Sequence, residues 1–266
     1  MRLTPILAAV SAVALLAAGC ANDTETGSQG VSDARLHAVQ EDIDRAVGAG
    51  VTGAIATVTE NGATEVRTAG VADLRTSAPI PAQPPQRTRV GSVTKSFTSA
   101  LVLQLVAEGK VRLDEPIADT YLPAPGERDI RGPHPAGYAT SDGVVTDVSR
   151  IEPSIPWAAG ALVSSGADLN HFYGALLAGR VLAAAELEQI RAGVPIDPES
   201  GMVYGLGLGS MRLSCGAEYV GHNGAIHGYY TLSGATVDGR AVTVAMTKAP
   251  ETEPDLIGML EHALCP

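Results

Sequence analysis

Arg89-Val90-Gly91-Ser92-Val93-Thr94-Lys95-Ser96-Phe97-Thr98 opens the longest apolar helical pattern in the chain. The chain has three lysines (Lys95, Lys110 and Lys248), and only Lys95 has a serine three positions before it. Helical residues at i and i+3 share a face, so this spacing sets a hydroxyl beside an amine at a helix N-terminus. A serine hydroxyl is a poor nucleophile until a neighbour takes its proton, and a partly desolvated lysine can do that. The same tetrapeptide also suits a plain capped helix whose lysine falls one turn in.

The surroundings favour chemistry. A serine at a helix start gains from unsatisfied backbone N–H groups and the positive end of the helix dipole. The Ser92 N–H can form half of an oxyanion hole, with the second donor coming from a strand edge. Gly221-His222-Asn223-Gly224-Ala225 is the best candidate for that edge. In this reading His222 faces the site, Gly224 lets substrate backbone approach, and the Ala225 N–H is the second donor. A half-buried sheet histidine without a task is the alternative for His222.

Outward from Ser92 the chain alternates between strand and helix periods. Leu36, Val39, Ile43 and Val47 recur at helical spacing behind Ser32 and Asp33, predicting a helix over 33–47. Segments 51–59 and 63–71 read as strands joined by an Asn61-Gly62 hairpin turn. The Ser92 helix runs to Gly109, a good stop. Residues 125–156 are weakly patterned, and 165–177 and 183–192 look helical. Strands are expected at 204–213, 218–220, 229–237 and 240–247, with an Asp238-Gly239 turn, before a last helix over 254–264. The expected fold class is therefore α+β. One antiparallel sheet is built from both chain ends, N- and C-terminal helices cover one face, and a helical region carries Ser92.

At 266 residues with 45% apolar side chains, the chain can bury a sizeable core. A formal charge of −11 without a basic patch argues against nucleic acid or an anionic membrane surface as partner. Arg2 and the short apolar stretch 6–18 read as a targeting segment, too short to span a bilayer. It ends Leu16-Ala17-Ala18-Gly19-Cys20, which looks like a bacterial lipobox. The expected organisation is a signal peptide over 1–19, a lipidated flexible tether over 20–31, and one catalytic domain over 32–266. The expected place is outside the cell membrane, held by a lipid on Cys20. An ordinary secretory signal with an incidental cysteine is the alternative. Export makes a Cys215–Cys265 disulfide the default reading, against two free thiols. His222 and His227 have no evident third ligand, so neither a metal nor a cofactor is expected.

The residues 89–123, including Gly109-Lys110-Val111-Arg112-Leu113-Asp114-Glu115-Pro116, resemble the serine β-lactamase and penicillin-binding-protein superfamily. The subgroup resembled is the secreted D-alanyl-D-alanine carboxypeptidases. The resemblance resumes at Gly137-Tyr138, Trp157-Ala158-Ala159-Gly160, Tyr204-Gly205-Leu206-Gly207-Leu208, Cys215-Gly216 and 221–230. It implies acyl transfer through a Ser92 ester with Lys95 as proton partner. It implies His222-Asn223-Gly224 as the third motif, and Trp157, Asn223, Gly224 and Ala225 as substrate-binding residues. The implied ligands are β-lactams and the D-Ala-D-Ala ends of stem peptides, and a monomer is expected.

Three departures stand against that pattern. The middle motif, Tyr-x-Asn or Ser-x-Asn, is absent: no tyrosine or serine stands two before Asn22, Asn61, Asn170 or Asn223. Only 36 positions separate Tyr121 from Trp157, so a helical block reads as deleted. The threonine expected after Gly224 is Ala225, and the carboxylate-gripping arginine after Tyr-Gly-Leu-Gly-Leu is Gly209, with Arg212 three positions away. Loss of the middle motif predicts poor peptidase turnover, because acid–base help is worth about 10²–10⁴-fold. Two readings follow: an exported serine hydrolase with impaired turnover, or a non-catalytic lipoprotein that binds peptidoglycan or an envelope partner. An esterase of the α/β-hydrolase kind is excluded, because no serine sits in a Gly-x-Ser-x-Gly elbow.

Overall fold

A computed structural model describes residues 30–109, 126–252 and 254–266. Residues 1–29, which hold the expected targeting segment, Cys20 and most of the expected tether, and the Lys110–Pro116 stretch lie outside the described residues, while Val31 at the end of the expected tether is buried in the core. Helix α1 (Asp33–Gly48) starts at Ser32, whose hydroxyl accepts from the Arg35 N–H. It leads into β1 (Gly53–Glu60), β2 (Ala63–Asp73), β3 (Ala78–Pro79) and β4 (Arg87–Arg89). A short 3-10 turn, Gly91–Val93, carries Ser92 into α2 (Thr94–Ala107). The middle of the chain holds β5 (Tyr138–Ser141), β6 (Val144–Asp147), α3 (Trp157–Gly160), β7 (Val163–Ser165), α4 (Gly166–Leu177) and α5 (Ala184–Arg191). Strands β8 (Val194–Asp197), β9 (Met202–Tyr204), β10 (Gly209–Arg212), β11 (Glu218–Ile226), β12 (Tyr229–Thr236) and β13 (Ala241–Met246) follow, and α6 (Leu256–Leu264) ends the chain.

Among the described residues the main sheet runs β3-β2-β1-β13-β12-β11-β10-β9-β8 with every pairing antiparallel. Strand β1 pairs with β13, so both chain ends meet in its middle, as the patterning predicted. One face packs on α1 and α6 through Leu36, Val39, Ile43, Val244, Met246, Leu260 and Leu264. The other packs on α2, α4 and α5 through Val90, Leu103, Leu169, Tyr173, Leu176 and Ile190. Strand alternation divides each strand between the two cores: Tyr219 of β11 joins the first and Val220 the second. Each fully buried aliphatic side chain contributes roughly 1.5–3 kcal/mol. The Cys215–Cys265 disulfide forms, tying the β10–β11 turn to the end of α6 across 50 residues.

The expected single strand over 204–213 is two strands. Gly205 N–H donates to the Leu208 carbonyl at 2.8 Å and Gly207 takes φ +76°, turning the chain between β9 and β10. The turn seats against α2: a Cβ at Gly207 would stand 2.8 Å from the Lys95 carbonyl oxygen. Ser92 lies in a 3-10 turn rather than in the helix proper, because Gly91 enters it at φ +50°. The weakly patterned stretch after residue 125 holds the β5–β6 hairpin, turned at Asp142-Gly143. Buried Arg89 fastens this stretch, donating to the carbonyls of Ser149 and Arg128 at 3.1 and 2.6 Å. Burial lowers the pKa of that guanidinium, while Tyr229 and Asp129 act to raise it.

Candidate active site

The site forms where α2 begins. Lys95 Nζ donates to Ser92 Oγ at 2.7 Å, the contact that the i, i+3 spacing predicts. Both side chains are half-buried, so the hydroxyl is reachable while the amine is partly desolvated. Lys95 has no carboxylate partner among the described residues; its second acceptor is the Ala159 carbonyl at 3.1 Å. An amine held by a hydroxyl and a neutral carbonyl, without a counter-ion, is suited to take a proton from that hydroxyl.

Strand β11 supplies the opposite wall. Pairing with β10 stops at Gly221, so the edge of β11 beyond that point meets the 3-10 turn instead of another strand. A Cβ at Gly224 would stand 2.9 Å from the Ser92 nitrogen and collide with the Val90 carbonyl oxygen. A Cβ at Gly91 would stand 3.0 Å from the Ala225 nitrogen. The two glycines allow this approach, and it brings the backbone at Ser92 close to the backbone at Ala225. An oxyanion hole requires two backbone donors from neighbouring segments of this kind.

His222 shares the face of Gly224, two residues away along the strand. It is buried to 8% exposure. Burial is the main influence lowering its pKa below the ordinary value; its bond to the Asn223 carbonyl raises it, and the nearby Lys95 charge lowers it. The Nδ1 atom faces the Asn223 carbonyl, an acceptor only, so Nδ1 carries the proton. Nε2 is then the acceptor, and the Tyr204 hydroxyl lies 2.7 Å from it. Burial also raises the Tyr204 pKa, so the phenol keeps its proton and donates. Tyr204 belongs to the Tyr-Gly-Leu-Gly-Leu stretch, which sequence reasoning left without a role. The glycines of that stretch were the available signal, since they let the turn press on α2.

Trp157 begins α3 beside the site, 38% exposed and at φ +40°, a strained conformation for a bulky residue. The α3 turn is fastened to α2 by three bonds. Lys95 and Thr98 donate to the carbonyls of Ala159 and Ala158, at 3.1 and 2.9 Å, and Leu162 N–H donates to Thr94 Oγ1 at 3.2 Å. Beneath α2, Ser96 Oγ donates to the Gly207 carbonyl at 2.6 Å and meets the buried Tyr173 hydroxyl at 3.1 Å.

Ser92, Lys95, His222, Gly224, Ala225 and the Trp157 turn are therefore brought together. The Asn223 side chain is not. It sits on the α1/α6 face of the sheet and donates to the Tyr230 hydroxyl at 3.4 Å. Arg212 is at the far end of β10, paired with Glu218, and its guanidinium donates to the Gly216 carbonyl at 3.0 Å. It does not reach the site to stand in for the arginine missing at Gly209. Among the described residues, no group of three or more His, Cys, Asp or Glu side chains is arranged to hold a metal ion.

The sequence matches the beta-lactamase family over residues 39–137 and 127–264. A D-stereospecific amidohydrolase from a Streptomyces species superposes with a TM-score of 0.74 at 25% identity, over 86% of this chain and 98% of that one. D-amino acid amidase from Ochrobactrum anthropi SV3, in complex with L-phenylalanine amide, gives a TM-score of 0.69 at 21% identity, over 86% and 98%. The octameric penicillin-binding protein homologue from Pyrococcus abyssi gives 0.68 at 17% identity, over 85% and 76%. With the matched regions spanning both halves of the fold and the Ser92 turn, this chain belongs to the beta-lactamase family of serine hydrolases.

Proposed function

We propose that this protein is an exported serine hydrolase that forms an acyl-enzyme on Ser92. Lys95 takes the Ser92 proton as the hydroxyl attacks the substrate carbonyl. The Ser92 and Ala225 amides hold the resulting oxyanion. The Lys95–Ser92 contact of 2.7 Å, without a counter-ion on the amine among the described residues, carries this reading. The Cys20 lipid anchor and a place outside the cell membrane belong to the same proposal.

The acyl donors are compact amides, esters and β-lactams of D-configured amino acids. Stem peptides ending in D-Ala-D-Ala are the poorer members of that class here. A terminal carboxylate needs a cation to grip it; the glycine at 209 has no side chain and Arg212 is engaged at the β10–β11 turn. The similarity to a D-stereospecific amidohydrolase supports the same choice. The assay compares kcat/KM for D-amino acid amides and esters with that for a D-Ala-D-Ala peptide. Amides and esters are expected to be the better substrates; faster release of the terminal D-alanine refutes the assignment.

The absent Tyr-x-Asn motif supports impaired turnover. Among the described residues Lys95 meets a backbone carbonyl at Ala159 and no phenol that could carry a proton to the leaving group. The same observation favours a second reading, a lipoprotein that binds cell-wall peptide without hydrolysing it. A Ser92→Ala variant separates the two. Covalent labelling by a fluorescent penicillin vanishes if the serine acylates, and peptide binding is unaltered if it does not.

A further inference from the structure

A cleft lies at the end of the sheet opposite Ser92. It has a volume of about 400 Å³ and is bounded by α4 and the tips of the β1–β2 and β12–β13 hairpins. Gly224 at the first site pairs with Thr231 of β12, and Thr236 of the cleft lies five residues further on, about 17 Å at the rise of a strand.

Three features set this cleft apart. Its accessible hydroxyls come from Thr59 and Thr64, and its basic side chains are His171 and Arg180. No carboxylate lines it among the described residues, and neither His171 nor Arg180 has an ion-pair or hydrogen-bond partner there. In a chain of net charge −11, two unpaired basic groups in one concavity are unexpected. Second, the floor is rigid. Asn170 is 3% exposed; its amide donates to the Thr57 carbonyl and Thr59 Oγ1 at 3.1 Å, and its oxygen accepts from Thr243 Oγ1 at 2.8 Å. Third, Gly174 lies within α4 with helical backbone, and a Cβ there would meet nothing within 4 Å. Alanine is the better helix former and would fit the empty protein. What glycine preserves at this position is open space in the cleft.

We propose that this cleft binds an oxyanion, a carboxylate or phosphate, carried on a hydroxylated molecule such as a sugar acid or sugar phosphate. Arg180 pairs with the anion through its planar fork and His171 adds a second donor. The Thr59 and Thr64 hydroxyls meet the carrier, and the surface over Gly174 receives its body. This assignment is independent of acyl transfer at Ser92.

The test is calorimetric titration of the whole protein with glucuronate, glucose 6-phosphate and glucose. At least one anionic sugar is expected to bind and neutral glucose is not. Binding of glucuronate alone marks a carboxylate ligand, and of glucose 6-phosphate alone a phosphate ligand. Arg180→Gln is expected to weaken binding about tenfold, the loss of one charge-assisted hydrogen bond. Gly174→Ala is expected to weaken binding while raising the thermal midpoint, a pairing that a damaged fold cannot produce. Penicillin labelling of Ser92 is expected to be unchanged in both variants. Absence of binding by both anionic sugars, or unchanged affinity in Arg180→Gln and Gly174→Ala, overturns the proposal.

Discussion

The Tyr204 hydroxyl donates to Nε2 of His222 at 2.7 Å, joining the turn that presses on α2 to the strand edge that faces Ser92. With Nδ1 held by the Asn223 carbonyl, this bond fixes both the tautomer and the ring plane of His222. Tyr204 acts through His222 and is a positioning residue. Tyr204→Phe removes one hydrogen bond worth about 1 kcal/mol, so the acylation rate of Ser92 is expected to fall about fivefold. The His222 nitrogen resonances are expected to move as well, a change that loss of packing alone does not produce. Unaltered resonances and rates in Tyr204→Phe would show that Tyr204 does not position His222.

His222 also sets an acid dependence. Its folded-state pKa lies below the ordinary value of 6.5, chiefly through burial. As pH falls through 6.5 the unfolded chain takes the proton first, so the folded state loses stability from there downward until the folded imidazole is itself protonated. Above 6.5 this contribution is fully present. The thermal midpoint measured from roughly pH 8 to roughly pH 5 is expected to fall on the acid side. His222→Gln is expected to flatten the part of that fall that belongs to this residue. Identical profiles for the two proteins would show that His222 is not held neutral.

The approach of β11 to the Ser92 turn depends on Gly224. A Cβ there would stand 2.9 Å from the Ser92 nitrogen and collide with a backbone oxygen that cannot swing aside. Gly224→Ala is expected to push the two oxyanion donors apart and reduce acylation by about 10²–10³-fold, the worth of one such donor. Circular dichroism is expected to be native, since the clash is confined to the edge of β11. Near-normal labelling of Gly224→Ala would place the oxyanion hole elsewhere.

The Cys215–Cys265 bridge closes a loop of 50 residues and holds α6 on the sheet. Its loss in Cys265→Ser is expected to lower stability by about 2–4 kcal/mol, read from denaturant midpoints. Equal midpoints for the oxidised and serine forms would show that α6 is held by its apolar face alone.

Much of this architecture was legible in the sequence. The Leu36, Val39, Ile43 period, the Asn61-Gly62 turn and the strand pattern of 229–237 are local signals, and each element formed within a few residues of its expected place. The Ser92–Lys95 contact was legible because it lies within one turn. The split of 204–213 into two strands was not, because it depends on where α2 comes to rest against Gly207. The Ala159 carbonyl as the second acceptor for Lys95 was likewise hidden, since backbone acceptors carry no residue signature. The side chain of Asn223 was expected at the substrate and lies across the sheet, because β11 runs as regular strand through residues 222–225 and alternation turns every second residue away.

Mass spectrometry of the full protein after incubation with a penicillin reads acylation of Ser92 itself. One adduct per chain is expected, carried by the tryptic peptide Val90–Lys95 and absent from Ser92→Ala. An unmodified protein, or an adduct on any other peptide, would contradict acylation at Ser92.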